Sequence, residues 1–487
     1  MKARGLGHSG GLGERSRKHT PGRRRAHRPL LAAAAGALLA AAQPVRAPAQ
    51  SPADRASLEQ FREALAGVTD TASLDASLRV QPAASDTVSL ALARLRRGFV
   101  ELRLAELGNA RRYDRADAAF REATRLEPEW PWPYLGRALA KYGIAEVRRA
   151  EPLELGTQVG YGALDDAVKA LTDALARDPG FEPALAALGR ISERFTRPDF
   201  WQRSLAAVRS ADAAARANPD VLLALGRMER AAGSPDSAAA AFEAYLARGG
   251  RHGLGLLELA RTRLAHHLPG GDSAYYAGAA DDDTLSVRGY RNDIAVMLAD
   301  SQLAGFDSAR GEGRAEFLRR FWSDRDRLEL RSPGERLPEH YRRLDYARKN
   351  FGLTVNRRFY PIGCVYRSGS MDFDDRGIIY IRQGEPTVRL RTYLFQIMPN
   401  ESWRYDRADG NLLFHFGAPG VPDDYRLFSS VLELFGACRP DTRDLTETLA
   451  VTASDMYLSR QTLSPMYAKL GLWTGTIAGG RLAQEEA

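Results

Sequence analysis

Cysteine is nearly absent from this chain: Cys364 and Cys438 are the only two in 487 residues. That excludes a zinc site built from close cysteine pairs and a disulfide-dense secreted scaffold. The pair reads either as one disulfide, worth roughly 4 kcal/mol in the chain-entropy model, or as two buried thiols. Histidine is scarce as well. Beyond residue 50 it occurs at His252, His266, His267, His340 and His415, never within a zincin helix, a nucleophile elbow or a phosphate loop. His340 falls on a helix beside Glu339 and Tyr341. His415 alternates with Phe414 and Phe416, which reads as a surface or edge position. Asp281, Asp282 and Asp283 lack the alternate spacing, internal glycine and closing glutamate of an EF-hand loop, and read as solvated loop. No catalytic residue, cofactor or metal is therefore assigned.

Excess charge is missing from the body of the chain. The formal net charge is +8, yet residues 1–50 hold ten of the 69 Lys/Arg and only one of the 61 Asp/Glu. From residue 51 onward 59 bases face 60 acids, a net charge of −1, and nucleic-acid binding loses its electrostatic basis. The first 49 residues have the layout of an export signal: a basic start, an apolar run at 30–42 and a small-residue site at Ala47-Pro48-Ala49. Cleavage is expected after Ala49. The apolar run has about 13 residues where a membrane-spanning helix needs roughly 20, so membrane association is expected only through this segment if it is uncleaved. Periplasm or cell envelope is the expected location.

What is abundant is helix-forming composition, Ala, Leu, Arg and Glu, from about 50 to 265. Leu135-Gly136-Arg137, Leu188-Gly189-Arg190 and Leu225-Gly226-Arg227 each follow a proline, at Pro128, Pro179 and Pro219. Helices of matching pattern carry Ala116, Ala119, Phe120 and Ala123, then Ala167, Ala170, Leu171 and Ala174, then Ala238, Ala241, Phe242 and Tyr245. This resembles the tetratricopeptide repeat, in degenerate form, with an insertion expected at 147–161. The resemblance implies stacked helix pairs forming a curved solenoid whose groove binds a peptide or another envelope protein. Residues 266–289, with Gly270-Gly271, Tyr275-Tyr276 and the three aspartates, read as a polar connector.

From 290 the texture changes. Phe317, Leu318, Phe321 and Trp322 form one helical stripe, followed by Ser323-Asp324-Arg325-Asp326-Arg327, read as a charged loop or as acids paired with Arg342 and Arg343. Ser332-Pro333 and Glu335 have the form of a capping box. Leu337, Tyr341, Leu344, Ala347 and Phe351 then mark a second amphipathic helix. Ile378 to Ile381 reads as a buried strand left through Gly384-Glu385-Pro386. Residues 388–396 alternate, and Asp409-Gly410 between two apolar runs signals a hairpin, in which Trp403 and Tyr405 share a face by the period of two, as do Leu412, Phe414 and Phe416. A small antiparallel sheet against helices follows, an α+β domain.

The order of FLRRFWSDRD, EHYRRLDYARKNF, DDRGIIYIRQGEP and NESWRYD resembles the GWxTD-domain family of bacterial envelope proteins, over roughly 290–435. At the name-giving motif this chain has Met371-Asp372-Phe373-Asp374-Asp375, matching only the final acid and the following Arg376-Gly377. The resemblance implies architecture and location and carries no reaction. Its residues are the candidates for family-motif or partner contacts: Asp375, Arg376, Gly377, Tyr380, Gly384, Pro386, Trp403, Tyr405, Trp322 and Asp326. Asp375, Arg376 and Gly377 also have a structural reading, as turn cap, ion pair and special backbone angle. Arg376, Arg382, Arg389 and Arg391, if gathered on one sheet surface, would suit a carboxylate or phosphate.

The expected chain is mainly α. A tetratricopeptide-like solenoid at 50–265 and a connector at 266–289 precede a smaller α+β domain with an antiparallel sheet at 290–440. A C-terminal extension, 441–487, reads as cut short. The expected function is non-catalytic protein binding; the alternative is an exported hydrolase-like enzyme with its site in the α+β domain.

Overall fold

The computed structural model describes residues 50–79, 86–150, 159–194, 198–210, 215–353, 372–394, 397–419, 424–435 and 447–485, together with 366, 368 and 370. The segment expected to be an export signal with cleavage after Ala49, most of the expected insertion, Cys364, Met371 and Cys438 lie outside these residues. The described chain is mainly helical, with 19 helices and one small antiparallel sheet of four strands. None of its helices is long and apolar enough to cross a membrane.

Helices α1 (Pro52–Ala66), α2 (Thr71–Ser77), α3 (Thr87–Glu106) and α4 (Arg112–Leu126) open the chain. The first three begin on acceptors for orphan backbone N–H groups, Ser51, Asp70 and Asp86. Next come α5 (Pro131–Ala150), α6 (Val159–Arg177), α7 (Glu182–Arg194), α8 (Pro198–Arg209) and α9 (Pro219–Ala232). Together these nine bury one apolar cluster in which Phe99, Phe120, Trp132 and Phe181 meet edge-on, ring to ring, at 5.0, 5.9 and 5.2 Å. The three Leu-Gly-Arg marks are points of close helix approach. A Cβ at Gly136 would lie 2.3 Å from the Phe120 ring, one at Gly189 2.7 Å from the Ala224 Cβ, and one at Gly226, within α9, 2.5 Å from the Phe242 ring. The three contacts differ in direction along the chain: Gly136 meets the helix before it, while Gly189 and Gly226 meet helices after theirs.

A second cluster begins at α10 (Pro235–Ala247) and α11 (His252–Ala265) and continues through α12 (Gly271–Ala279), α13 (Thr284–Ala295), α14 (Asp300–Ser308), α15 (Glu312–Leu328) and α16 (Arg336–Phe351). The stretch read as a polar connector is therefore mostly helix. Tyr275 is fully buried and its ring meets those of Tyr276, Tyr290 and Tyr341 at 5.2, 5.1 and 5.7 Å. The aspartates that made this stretch look solvated are local ties: Asp283 caps α13 by accepting from Ser286 N, and Asp282 accepts from Gly311 N and from the buried Arg314 guanidinium at 2.7 Å. The charged run after Trp322 is likewise no loop but the last turn and a half of α15. The capping box is formed in one half, with Glu335 accepting from Ser332 N at 3.2 Å, but α16 starts only at Arg336.

The stretch read as a buried strand is helix α17 (Asp375–Gln383). Asp374 starts it by accepting from Gly377 N at 3.1 Å, and Gly384, at φ +86°, ends it. All seven residues from Asp375 to Ile381 are buried, so the helix shows no polar face, and a short apolar run without periodicity does not distinguish helix from strand. The sheet follows in simple up-and-down order, β1 (Val388–Thr392), β2 (Asn400–Tyr405), β3 (Leu412–Gly417) and β4 (Arg426–Phe428). The hairpin is where the Asp-Gly signal placed it, with Trp403 opposite Phe414 and Gly410 at φ +125°. One sheet face, with Trp403, Tyr405 and Phe416, completes the second cluster. The other, with Val388, Leu390 and Leu413, is covered by a third cluster from Val431–Phe435, α18 (Glu447–Leu458) and α19 (Pro465–Glu485).

Candidate functional site

The family-motif candidates come together, as a buried junction between helices and sheet. Arg376 donates through Nε and Nη2 to Asp374 Oδ2, at 2.9 and 2.6 Å, and through Nη1 to Glu401 Oε2 at 3.0 Å, while its guanidinium lies 3.5 Å from the centre of the Tyr425 ring. Asp375 Oδ2 accepts from Leu427 N at 2.8 Å, tying α17 to β4. Gly377 has no room for a side chain, since a Cβ would approach that of Phe373 to 2.8 Å. Tyr380 stacks on Tyr346 at 4.4 Å. The Gly384 carbonyl accepts from the Tyr405 hydroxyl at 2.9 Å, and Pro386 is buried just before β1. Trp403 donates to Glu401 Oε1 at 2.7 Å. At a distance from this junction, Trp322 donates to the Tyr275 hydroxyl at 3.0 Å. Asp326 is buried and accepts from Gly334 N and Arg336 N at 2.7 and 2.8 Å, holding the turn into α16. It does not pair with Arg342 or Arg343, both of which bind Glu339; the exposed Asp324 pairs with Arg327.

The arginines expected on one sheet surface divide between different partners. Arg376 and Arg391 share the buried Glu401, Arg382 donates to the Val296 carbonyl, and Arg389 lies over Trp403 at 4.8 Å, between Tyr346, Phe351 and Tyr380. Their charges are taken up by acids, a carbonyl and ring faces of the same chain.

His415, read as a surface or edge residue, is buried because α19 covers its face of the sheet. Nδ1 lies 2.8 Å from Ser402 Oγ and Nε2 2.7 Å from the Tyr467 hydroxyl. Arg460, itself buried, donates to the same Ser402 Oγ at 2.9 Å and to Asn400 Oδ1 at 2.6 Å. Burial, then Arg460, pulls the His415 pKa down to about 4. A Ser–His contact is thus present, but Ser402 is fully buried and carries an arginine donor, so the group braces the sheet against α18 and α19. His340 is also buried; its Nε2 donates to the Asp293 carbonyl at 3.0 Å, and burial followed by Arg336 holds its pKa near 3.

The residues that sequence reasoning missed line a cleft of about 740 Å³ between the second half of the helical array and α16. Each helix contributes one face: Arg227 and Arg230 from α9, Leu254, Leu257, Glu258 and Arg261 from α11, Leu285, Arg288, Asn292 and Asp293 from α13, Asp345, Arg348 and Lys349 from α16. Arg190 of α7 joins them. At the floor, four guanidinium groups share two buried carboxylates. Glu258 is reached by Arg227, Arg230 and Arg261 at 2.9, 2.6 and 3.1 Å. Asp293 receives a two-pronged Arg261 at 2.8 Å on each oxygen, Arg348 at 2.9 Å and the Tyr341 hydroxyl at 3.1 Å. Burial pushes both acids up, but the arginines outweigh it and hold Glu258 well below the usual carboxylate range and Asp293 below it. Arg230 is pulled down chiefly by burial, and further by Arg261 and Arg348, against Glu258. Among the described residues no group of three or more His, Cys, Asp or Glu side chains is placed to hold a metal ion.

The sequence signal for the cleft was present as spacing. Glu258 and Arg261, or Asp345, Arg348 and Lys349, fall three and four apart on helices whose neighbouring positions are apolar. Nothing in one segment, however, shows that four such faces meet. Comparison with family models, with curated proteins and with solved structures gives no match.

Proposed function

We propose that this chain is an exported, non-catalytic protein of the bacterial cell envelope that binds a protein or peptide partner. In this reading α3 to α11 act as a tetratricopeptide-like array, and the GWxTD-like part, from α14 through the sheet, completes the binding site and caps the array. The observation that carries the reading is the cleft, whose walls come from both parts at once and whose volume lies in the range of ligand-binding clefts. The buried setting of Ser402 and His415 favours binding over a hydrolase. The test is crosslinking and co-purification from the native envelope, with the mature chain identified by N-terminal sequencing. A start at Gln50 and recovery of a reproducible partner are expected; a chain that retains residues 1–49 in the cytoplasm, or recovers nothing above background, overturns the reading.

A further inference from the structure

Seven cationic side chains line the cleft against four acidic ones, on a body whose charge from residue 51 onward is −1. Positive charge is therefore concentrated in a concavity that both halves of the protein build, where low-dielectric walls focus its field. The surplus has two layers. The floor arginines are fixed in place by Glu258 and Asp293, and the fork of Arg261 on Asp293 shows the two-pronged geometry that guanidinium groups adopt with carboxylates. Above them Arg190 and Arg288 are exposed, and no hydrogen bond or ion pair holds either among the described residues. The remaining lysine, Lys349, is already paired with Asp345 at 2.8 Å.

Resting on the binding reading above, we propose that the cleft takes an acidic peptide segment, with carboxylates paired to Arg190 and Arg288 and apolar side chains against α11 and α13. The apolar component lies on the same helices: Leu285, exposed on α13, stands one turn before Arg288, and Leu254 and Leu257 of α11 line the cleft from within the packed core. A single-stranded nucleic acid would call instead for a groove that tracks phosphates with a series of aromatic platforms for its bases, whereas the aromatic lining here is a half-buried Tyr142 and a buried Phe373 among leucines and arginines.

The probe is a fluorescein-labelled peptide alternating leucine and glutamate, compared with its leucine–glutamine counterpart, titrated by anisotropy into the chain from Gln50 to Ala487. Saturable binding of the glutamate peptide is expected, at least about tenfold tighter than the glutamine peptide and weakened by salt. The double variant Arg190→Glu/Arg288→Glu should lose at least about tenfold in affinity with an unchanged circular dichroism spectrum, and Arg320→Glu, a reversal at an exposed arginine of α15, should bind as the parent does. Equal affinity for the two peptides, no binding of either, parent-like binding by the double variant, or tighter binding of a single-stranded oligonucleotide than of the glutamate peptide overturns the proposal. If the parent and the double variant recover the same envelope partner, the acidic-segment inference falls while the binding reading stands. If the parent recovers none, the binding reading itself falls.

Discussion

Arg376 directs all of its nitrogens inward, to Asp374 and Glu401, and lays its plane on Tyr425. A buried ion pair adds little net stability when intact, but removing one partner leaves the other charge uncompensated at a cost of about 3–5 kcal/mol. Arg376→Met is therefore expected to lower the free energy of unfolding in urea by that amount, and a loss under about 1 kcal/mol would show that water reaches Glu401 in the folded state. The two buried histidines set a pH dependence whose sign follows from their depressed pKa values, about 3 for His340 and about 4 for His415. Below about 6.5 the unfolded chain takes up protons that the folded chain refuses. Their stabilisation is thus complete above about 6.5 and is lost as pH falls toward 4. Asp374, raised to about 6 by burial against the pull of Arg376, works in the opposite sense, regaining stability as pH falls through 6. To isolate the histidine effect, unfolding of the parent is compared with that of His415→Gln between pH 7 and 5. The stability gap between them should narrow as pH falls, and a constant gap would contradict a neutral, buried His415.

At the scale of the element, α17 depends on its two ends. Gly384 adopts φ +86° and ψ −155°, a region open essentially to glycine, and a Cβ there would also stand 3.0 Å from the Arg343 guanidinium. Gly384→Ala should destabilise by about 1–3 kcal/mol, read as a shift in urea midpoint without a change in slope; an unchanged midpoint would mean that the turn can relax. The same helix shows where sequence reading reaches its limit. The stripe on α15 and the buried face of α16 were legible because each has one wet side, so polar and apolar residues alternate at the period of the element, and the hairpin at Gly410 was legible from its Asp-Gly turn. Helix α17 has no wet side, and α12 hides its buried Tyr275 among glycines and aspartates that normally mark loops. His415 was misplaced for a related reason, since a strand covered on both faces loses its alternation of polarity. The cleft was the least legible feature: Arg190, Arg227, Arg261, Arg288 and Arg348 come from five helices separated by other elements, and only tertiary packing makes them neighbours.

Taken whole, the described chain is joined by clusters that ignore the boundaries its composition suggests. The second runs from Ala238 to Phe416, across the end of the array and onto the sheet. The third covers the far side of that sheet with α18 and α19. The C-terminal extension is thus part of the sheet's core. A chain ending at residue 446 would expose Val388, Leu390 and Leu413 and strip His415 of Tyr467. Such a chain should bind the dye ANS several-fold more strongly than the parent and elute as aggregate; a monomer with parent-like dye binding would show that the sheet stands without its cover. The clusters also divide five of the six tryptophans in a useful way. Trp130 and Trp132 belong to the first and Trp322 and Trp403 to the second, while Trp473, 52% exposed, lies on the helix that closes the third. The protein thus carries its own set of optical reporters. Versions retaining a single indole in each region would let emission colour tell whether array, sheet and cover melt together or in turn, with no label attached.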